Sequence, residues 1–289
     1  MIETENVVCR PALRQDTAQV MELCSHIWEG DDYIPYVWDE WMADPEGMLG
    51  VAELRGRVVG IFKLTKYQEN EWWMAGLRVH PDFQGTGIAS HIHNYVVETW
   101  RRMGGGIVRL TTASYNVKVH HMCEEGGFKR IAEFIPYRAA VTQDEDNGFK
   151  KTASDEAPKV LEFISKSPIH ALSAGMINWG WVFGYPQLSQ IQEAIGYSHA
   201  WWWRDGSGFI SIFEDDDDGE PQPGVQLLAC SLSDLAEMLK DYRALMGEAG
   251  YKSAHWMAPA HPQVVSSLEK SGFERTWDKS LYLYELREQ

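Results

Sequence analysis

The sequence is poor in cysteine, in basic residues and in long apolar runs, and each shortage excludes a class of protein. Only four of the 289 residues are cysteine, and no two cysteines have the C-x-x-C spacing of redox and metal motifs. No segment approaches the roughly 20 consecutive apolar residues that a membrane helix needs, and residues 1–6 lack the basic and apolar regions of a secretory signal. We therefore expect a cytoplasmic protein without a membrane partner or a disulfide framework.

The balance of charge excludes a further class of partner. Lys and Arg together number 26 against 42 Asp and Glu, which gives a formal net charge of −16. Nucleic-acid phosphates are bound by clustered cations, so no nucleic-acid partner is expected, whereas a small cationic partner suits an acidic chain. The length is sufficient for two domains of ordinary size, and no pattern indicates an oligomeric state.

The most informative segment is residues 77–89, LRVHPDFQGTGIA, in which a strand end and a glycine-rich bend precede a helix predicted from Ile88 to Met103. Gly85 and Gly87 allow the backbone to fold tightly and to bring several N–H groups toward one anion. The positive end of the helix dipole adds to these donors. Neither the P-loop nor the dinucleotide-binding spacing is present. The segment predicts a phosphate or pyrophosphate site, and the alternative is a tight structural turn.

Two blocks of sequence resemble one known family. Gln84, Gly87 and Ala89, after a Leu-x-Val-x-Pro strand end, match Gln/Arg-x-x-Gly-x-Gly/Ala, and residues 116–128, NVKVHHMCEEGGF, match Asn-x-x-Ala-x-x-Leu-Tyr-Glu-Lys-x-Gly-Phe. In order and spacing, these blocks resemble the coenzyme A signature of the GNAT acetyltransferases. The resemblance covers residues 6–141. It implies an α/β (α+β) fold, with a mixed, mostly antiparallel twisted sheet that is flanked by helices and splayed to admit the pantetheine arm.

The resemblance also assigns the residues that hold acetyl-coenzyme A, which acts as the co-substrate. Backbone groups of the strand end would meet the pantetheine amides, the glycine loop would surround the pyrophosphate, and Asn116 would hydrogen-bond the pantetheine arm. If the strand carries the family's bulge, the N–H of Val79 would polarise the thioester carbonyl. The residues assigned to coenzyme A are Leu77, Arg78, Val79, Gln84, Gly85, Thr86, Gly87, Ile88, Ala89 and Asn116.

The proton donor of the family is missing from this sequence. Cys123 stands where the family usually has the tyrosine that protonates the leaving thiolate. At about 100° per residue, Asn116, His120 and Cys123 fall on one narrow arc of a helix, so His120 or Cys123 is a candidate replacement. The alternative is that Cys123 is a small buried group and His120 a surface residue, with water as the proton donor.

The proton acceptor is predicted on the strand that leads to the cofactor site. In relatives, a carboxylate on this strand takes the proton of the amine, and Glu71 is the candidate here. His80 and His121 are expected to be structural or exposed. The resemblance requires no metal.

The second half of the chain is predicted to repeat the first. Its predicted order is strand 225–230, helix 231–249, strand 252–257, helix 261–270 and one long final strand 273–286, and residues 268–273, LEKSGF, correspond to residues 123–128, CEEGGF. The segment that should hold the second glycine loop has no glycine and places Asp234 where a phosphate would lie. We expect two GNAT-like domains: residues 1–142 bind acetyl-coenzyme A, 143–159 are a linker, and 160–289 form a degenerate copy.

Two further segments bear on ligands. Residues 28–41, WEGDDYIPYVWDEW, interleave carboxylates with aromatic rings, which suits a cationic amine substrate, although an amphipathic helix that buries its rings gives the same pattern. The acidic run 214–220 is interpreted as the solvated tip of a hairpin, with a metal or a cationic partner as the minor alternative. The predicted function is an N-acetyltransferase that acts on a small, possibly cationic amine by direct transfer in a ternary complex. The alternative is a non-catalytic acyl-coenzyme A-binding sensor or interaction protein.

Overall fold

The computed structural model describes residues 6–143, 147–217 and 220–288. Its helices are α1 Thr17–Ser25, α2 Ile34–Ala43, α3 Ile88–Arg102, α4 Val117–Glu125, α5 Ala157–Ser165, α6 Pro168–Leu172, α7 Leu188–Gly196, α8 Leu235–Glu248 and α9 Pro262–Lys270. Its strands are β1 Val7–Pro11, β2 Met48–Leu54, β3 Arg57–Gln68, β4 Glu71–Val79, β5 Gly106–Ala113, β6 Lys129–Ala140, β7 Phe149–Lys151, β8 Ile177–Trp179, β9 Val182–Gly184, β10 Ala200–Trp203, β11 Gly208–Asp217, β12 Glu220–Ala229, β13 Ser253–Pro259, β14 Glu274–Arg275 and β15 Leu281–Glu288. None of the described helices is long and apolar enough to cross a membrane.

The chain divides into two compact units, and neither is continuous in sequence. Unit 1 comprises residues 1–110, 117–129 and 284–289, and unit 2 comprises residues 111–116 and 130–283. Because unit 1 includes residues 284–289, it takes one strand segment from the C-terminus of the chain. Residues far apart in sequence therefore meet inside unit 1.

In unit 1 the strands follow the order β1-β2-β3-β4-β5-β15. The first four strands pair antiparallel, and β4 pairs parallel with β5, which the crossover through α3 requires. The helices α1 and α2 cover an apolar cluster on the sheet in which Leu23, Ile34 and Val51 are fully buried. This packing fixes β3, the partner of β4, and β4 leads into the glycine loop.

In unit 2 the order is β6-β13-β12-β11-β10-β7, and β14 pairs with β6. Here β12 is followed by α8 and then pairs parallel with β13, so the β-α-β sequence of β4, α3 and β5 recurs. A short hairpin of β8 and β9 lies apart from this order. The core on α8 and α9 is apolar, with Leu235, Met238 and Leu268 fully buried.

The prediction of one final strand over residues 273–286 is wrong. Residues 274–275 pair with β6, and the next strand begins at Leu281. The intervening residues are polar and make separate contacts: the Thr276 N–H donates to Pro136 O at 3.1 Å, and Ser280 Oγ donates to Glu133 at 2.6 Å. These bonds take the chain out of one ladder before it joins the next.

The acidic run at residues 214–220 lies at the end of a hairpin, as interpreted from the sequence. The strands β11 and β12 pair antiparallel as far as Asp217 and Glu220. The turn itself, residues 218–219, lies outside the described residues.

Candidate active site

The glycine loop connects the end of β4 to the start of α3. After a short turn at Pro81–Phe83, Gly85 has φ +76° and Gly87 has φ +91°, values in the left-handed region that glycine adopts without strain. A Cβ atom at Gly85 would meet nothing within 4 Å. The first helical hydrogen bond runs from the His91 N–H to Gly87 O at 3.0 Å, so the N–H groups before it point out of the helix end. The loop therefore borders open space at Gly85, at the positive end of a helix of 15 residues.

Two side chains hold the loop in this shape. Gln84 Nε2 donates to Val79 O at 3.1 Å, and Thr86 Oγ1 donates to Phe83 O at 2.6 Å. Each side chain bonds to the backbone of the loop or of the strand before it. The Gln and Thr of the motif thus act here by fixing the backbone that presents the N–H donors.

The strand before the loop has a bulge and an outward-facing amide. On β4, Arg78 faces Ile61 while Ala75 faces Lys63, so β4 contains one extra residue, near Gly76, whose φ is +64°. The His80 N–H donates to Val59 O at 2.9 Å. Since alternate residues of an antiparallel ladder point their N–H groups to opposite sides, the N–H of Val79 points away from β3.

That side of β4 lacks a paired strand over much of its length. The parallel ladder between β4 and β5 joins Glu71–Trp73 to Ile107–Arg109, whereas β4 itself continues to Val79. Among the described residues of unit 1, this ladder ends at Trp73. The backbone groups of Leu77–Val79 thus border the side of the strand where the resemblance places the pantetheine arm.

The helix α4 does not present Cys123 to solvent. Cys123 is 0% exposed, and burial raises the pKa of its thiol to about 12, so the thiol keeps its proton at neutral pH. Asn116 directly precedes α4, and its Nδ2 donates to Thr112 Oγ1 at 3.1 Å. The sequence left two interpretations of Cys123, a proton donor or a small buried group, and its burial matches the second.

His120 has a partner that the sequence did not reveal. Its Nδ1 lies 3.1 Å from the hydroxyl of Tyr284, and the two rings stack with their centroids 5.8 Å apart. Tyr284 comes from β15, at the other end of the chain. No local pattern predicts this pairing, because it depends on where the last strand inserts. His120 is half-buried, so it is not the free surface residue of the alternative interpretation.

Glu71 takes part in a buried ion network. Its carboxylate accepts from Arg109 Nη1 at 2.5 Å, and Arg109 Nε donates to Glu285 at 2.8 Å. All three side chains are buried. The sequence analysis did not predict a role for Arg109 or Glu285, because a charged residue in an otherwise apolar strand gives no sign of its partner. The network gives Glu71 a structural role in addition to any catalytic one.

Arg78 contacts the segment that was predicted to recognise substrate. Its guanidinium donates to Asp32 at 3.0 and 3.2 Å and lies over the rings of Trp28 and Tyr33, at 4.3 and 5.3 Å from their centroids. Trp28 is 58% exposed, whereas Trp38 is buried and donates to Thr17 Oγ1 at 3.1 Å. The segment 28–41 therefore combines exposed aromatic rings with a buried anchor.

His80 and two neighbours form a titratable cluster beside the loop. Ligand atoms of Glu22, His26 and His80 lie within 4.8 Å of one another. Arg57 Nη2 lies 3.0 Å from His80 Nε2, and the Asp82 N–H donates to His80 Nδ1 at 3.2 Å. The guanidinium already occupies the place of a cation, and His80 is buried as a structural residue. His121, which was expected to be structural or exposed, is exposed.

The corresponding helix start in unit 2 is closed. Ser231 Oγ donates to Asp234 Oδ2 at 2.6 Å and accepts from the Asp234 N–H at 3.2 Å. Glu237 adds a carboxylate to the first turn of α8. Two carboxylates at this helix end repel an anionic ligand.

The N-terminal part of the chain is similar in sequence to known acetyltransferases. Residues 15–128 match the sequence profile of the Acetyltransferase (GNAT) family. Mycothiol acetyltransferase from Propionibacterium freudenreichii subsp. shermanii is 30% identical over 105 residues, which are 35% of this chain and 33% of that protein. Histidine N-acetyltransferase from Oreochromis niloticus is 26% identical over 88 residues, 30% of this chain and 26% of that protein. The match thus spans a third or less of each of these curated relatives.

Solved structures share the fold over nearly the whole chain. A tandem GNAT protein from the clavulanic acid biosynthesis pathway has a TM-score of 0.58 at 14% identity. The superposition covers 97% of this chain and 98% of that chain. A GCN5-related N-acetyltransferase from Sphaerobacter thermophilus has a TM-score of 0.64 at 12% identity, with 98% of this chain and 96% of that chain covered. At these identities the likeness shows the fold alone. The predicted mixed α/β fold with mostly antiparallel sheets is confirmed.

Proposed function

We propose that the protein transfers an acetyl group from acetyl-coenzyme A to the amine of a small molecule, because residues 15–128 match the acetyltransferase (GNAT) family. Transfer is direct, within a ternary complex. The observation that carries the proposal is the glycine loop, whose left-handed Gly85 and Gly87 leave backbone N–H groups unpaired within the helix at the start of α3.

The residues of the loop and of β4 would hold the cofactor. Gly85 to Ala89 would surround the pyrophosphate with backbone N–H groups, while Gln84 and Thr86 keep the loop in shape. The edge of β4 at Leu77–Val79 would pair with the pantetheine amides, and Asn116 would hydrogen-bond the same arm.

The chemistry needs one polarised carbonyl and two proton transfers. The amine nitrogen attacks the thioester carbonyl carbon, the C–S bond breaks, the amine loses a proton and the thiolate gains one. The Val79 N–H, directed away from β3, would donate to the developing oxyanion, an interaction that contributes several kcal/mol in other acyl transfers. No metal takes part in the proposed reaction.

The structure bears differently on the candidate proton donors and on the candidate proton acceptor. For the thiolate we retain His120 and Cys123 as candidates; His120, which shares a hydrogen bond with the Tyr284 hydroxyl, is the stronger because the Cys123 thiol is enclosed. For the amine we retain Glu71, whose carboxylate would have to exchange Arg109 for the substrate.

A small cationic amine is the proposed acceptor. Trp28 and Tyr33 are partly exposed beside the carboxylates of the segment 28–41. Because the Arg78 guanidinium already lies over both rings, the attraction for a cationic amine rests on the carboxylates of this segment. A relative named histidine N-acetyltransferase supports an amine acceptor. The four free cysteines fit a reducing compartment such as the cytoplasm. Residues 1–142 and 160–289 remain the proposed catalytic and degenerate domains, joined by 143–159.

A non-catalytic sensor of acyl-coenzyme A is the second candidate function. It is favoured by the enclosed thiol at Cys123 in place of the family's tyrosine and by the ion pair that engages Glu71. Binding of the cofactor alone does not separate the two functions, because both predict it.

Release of free thiol from acetyl-coenzyme A in the presence of a panel of amines tests the proposal. We expect steady turnover with at least one cationic amine, and slower single-turnover transfer in His120→Ala than in Cys123→Ala. Tight binding of acetyl-coenzyme A by calorimetry without turnover on any amine would favour the sensor. Absence of binding would contradict both functions.

A further inference from the structure

The turn between β4 and the glycine loop begins at a buried histidine. Residues Pro81–Phe83 form this turn, and the Phe83 N–H closes it on His80 O at 2.9 Å. The N–H of Asp82 takes no part in that bond. Its acceptor is the Nδ1 atom of the His80 ring, at 3.2 Å. The imidazole, which is only 3% exposed, thus does what a capping side chain does at the start of a helix.

The hydrogen bond from Asp82 determines where the ring carries its hydrogen. A backbone N–H can only donate, so Nδ1 must offer a lone pair, and the hydrogen of a neutral imidazole is then on Nε2. The Nε2 atom lies 3.0 Å from Arg57 Nη2, and both nitrogens lie 3.7 Å from Oε1 of Glu22. Two donors therefore face one carboxylate oxygen, which attracts both.

The opposite tautomer fits these surroundings less well. With the hydrogen on Nδ1, the ring would accept from Arg57, but two hydrogens would meet between Nδ1 and the Asp82 N–H. The turn holds this N–H in place, whereas the Arg57 side chain is 46% exposed and can turn to solvent. The Asp82 carboxylate lies 3.7 Å from Nδ1 but is 73% exposed, so solvent screens its attraction for a hydrogen there. The geometry thus favours the hydrogen on Nε2.

The same turn anchors the glycine loop. Thr86 Oγ1 donates to Phe83 O at 2.6 Å, so the position of the Phe83 carbonyl sets the position of the loop. The Phe83 ring packs edge-on against the His80 ring with the centroids 5.7 Å apart, and the Arg57 guanidinium lies 5.3 Å from its centroid. A turn that lost its cap would therefore loosen the attachment of Thr86.

We propose that His80 is a positioning residue for the cofactor. Its neutral imidazole, with the hydrogen on Nε2, caps the turn at Pro81–Phe83 and so holds the glycine loop in the shape that receives the pyrophosphate. It acts through the backbone of the loop and not by contact with the cofactor. The inference rests on the proposed function, which assigns this loop to acetyl-coenzyme A, but the ring and the loop are measurable in the free protein. All the residues involved belong to unit 1.

Two amide variants test which ring nitrogen matters. In His80→Asn, the side-chain oxygen is one bond beyond Cγ, as Nδ1 is, and asparagine is a preferred capping residue. In His80→Gln, the same amide is one bond farther out, near the place of Nε2. We expect backbone hydrogen exchange over residues 82–86 of the free protein to be about 10-fold faster in His80→Gln, because the capping acceptor is lost. In His80→Asn it should stay within about 2-fold of the wild type.

Calorimetry with acetyl-coenzyme A connects the loop to binding. His80→Gln should bind about 10-fold more weakly, since the cofactor must then order the loop itself, and His80→Asn should retain the wild-type affinity. His170→Gln, the same change at a buried histidine of unit 2, should also retain it. A wild type that does not bind acetyl-coenzyme A would contradict the proposed function, and hydrogen exchange would still decide the role of His80.

Nitrogen NMR of the wild type observes the ring directly and does not depend on the folding of a variant. With isotope-labelled histidine, the shifts of the two ring nitrogens show which one carries the hydrogen, and the signals missing in His80→Asn identify His80. We expect the hydrogen on Nε2 alone at neutral pH. A hydrogen on Nδ1 would overturn the proposal. Equal loop exchange in His80→Gln and the wild type, or equal losses of affinity in His80→Gln and His80→Asn, would also overturn it.

Discussion

The two units begin their crossover helices in opposite ways. In unit 1, α3 follows Gly87, and its first turn contains no acidic residue. In unit 2, α8 follows Asp234, which bonds with Ser231, and Glu237 lies in its first turn. Both helices connect parallel strands in the same order, so the fold alone does not make an anion site. The residues at the helix start decide whether its N–H groups remain open and electrically suited to a phosphate.

The units also differ in where they place an arginine with two carboxylate partners. In unit 1, Arg109 bonds with Glu71 and Glu285, and its side chain is 1% exposed. In unit 2, Arg204 bonds with Glu237 at 2.8 Å and with Asp241 at 3.1 Å, and its side chain is 44% exposed. An arginine with two carboxylate partners is thus a buried structural element in unit 1 and a solvated surface group in unit 2.

The largest expected effect comes from breaking the buried network. Arg109→Met should destabilise the protein by about 3–5 kcal/mol, because it removes the buried cation that Glu71 and Glu285 share and leaves Glu285 only the more exposed Arg287. Arg204→Met should change the free energy of unfolding by about 0–1 kcal/mol, since exposed ion pairs contribute little. Urea unfolding of the two variants and the wild type measures both values.

A triple variant separates charge from packing at this position. Adding Glu71→Gln and Glu285→Gln to Arg109→Met removes the two carboxylate charges that Arg109 had balanced and should recover part of the lost stability. If the triple variant is no more stable than Arg109→Met alone, the loss arises from packing. Equal losses in Arg109→Met and Arg204→Met would remove the contrast between the units.

The next effect concerns the glycine loop. Gly87 and Gly206 have φ values of +91° and +89°, so replacing either by valine imposes a similar backbone strain, of about 1–2 kcal/mol. Only Gly87 belongs to the proposed cofactor loop. Gly87→Val should weaken acetyl-coenzyme A binding by about 100-fold, or about 2.7 kcal/mol, and Gly206→Val should not.

Calorimetry gives the affinity and the stoichiometry in one experiment. The wild type should bind one acetyl-coenzyme A per chain, because the start of α8 is closed by Ser231 and Asp234. Two molecules per chain would show that unit 2 also accepts the cofactor. Equal losses of affinity in Gly87→Val and Gly206→Val would show that strain, and not the loop itself, is responsible.

Local features of the fold were predictable because their signals are local. The helix predicted from Ile88 to Met103 is observed as Ile88–Arg102, since glycine, helix dipole and apolar spacing act within a few residues. The second crossover helix was predicted from residue 231 but begins at Leu235. The side chains of Ser231 and Asp234 hydrogen-bond to each other and hold a turn there instead.

The unpredicted parts of the site depend on contacts that are distant in sequence. Tyr284 meets His120 across 164 positions, and Arg109 meets Glu285 across 176. Nothing near His120 or Arg109 indicates these partners, because they are set by the insertion of β15 into unit 1. The burial of Cys123 was one of two alternatives, since cysteine is common both in cores and at reactive sites.

The smallest expected effect is a pH dependence that both units share. Burial lowers the pKa of His93 in unit 1 and of His170 in unit 2 to about 4, against about 6.5 in an unfolded chain. A histidine with a lowered folded-state pKa stabilises the protein fully above about pH 6.5, and this stability is lost as the pH falls toward 4. Each residue should therefore make the protein less stable at pH 5 than at pH 7 by about 2 kcal/mol.

Leucine variants at the two positions test whether the units respond alike. In the described structure, neither ring nitrogen of His93 has a hydrogen-bond partner, so His93→Leu removes a titrating group without removing a bond. The free energy of unfolding is measured with urea at pH 7 and at pH 5. Between these two pH values it should fall by about 2 kcal/mol less in His93→Leu, and in His170→Leu, than in the wild type. A reduction confined to one variant would mean that the other histidine is protonated within the folded protein at pH 5. Acid sensitivity would then be a third property, after the open helix start and the buried arginine, in which the two units differ.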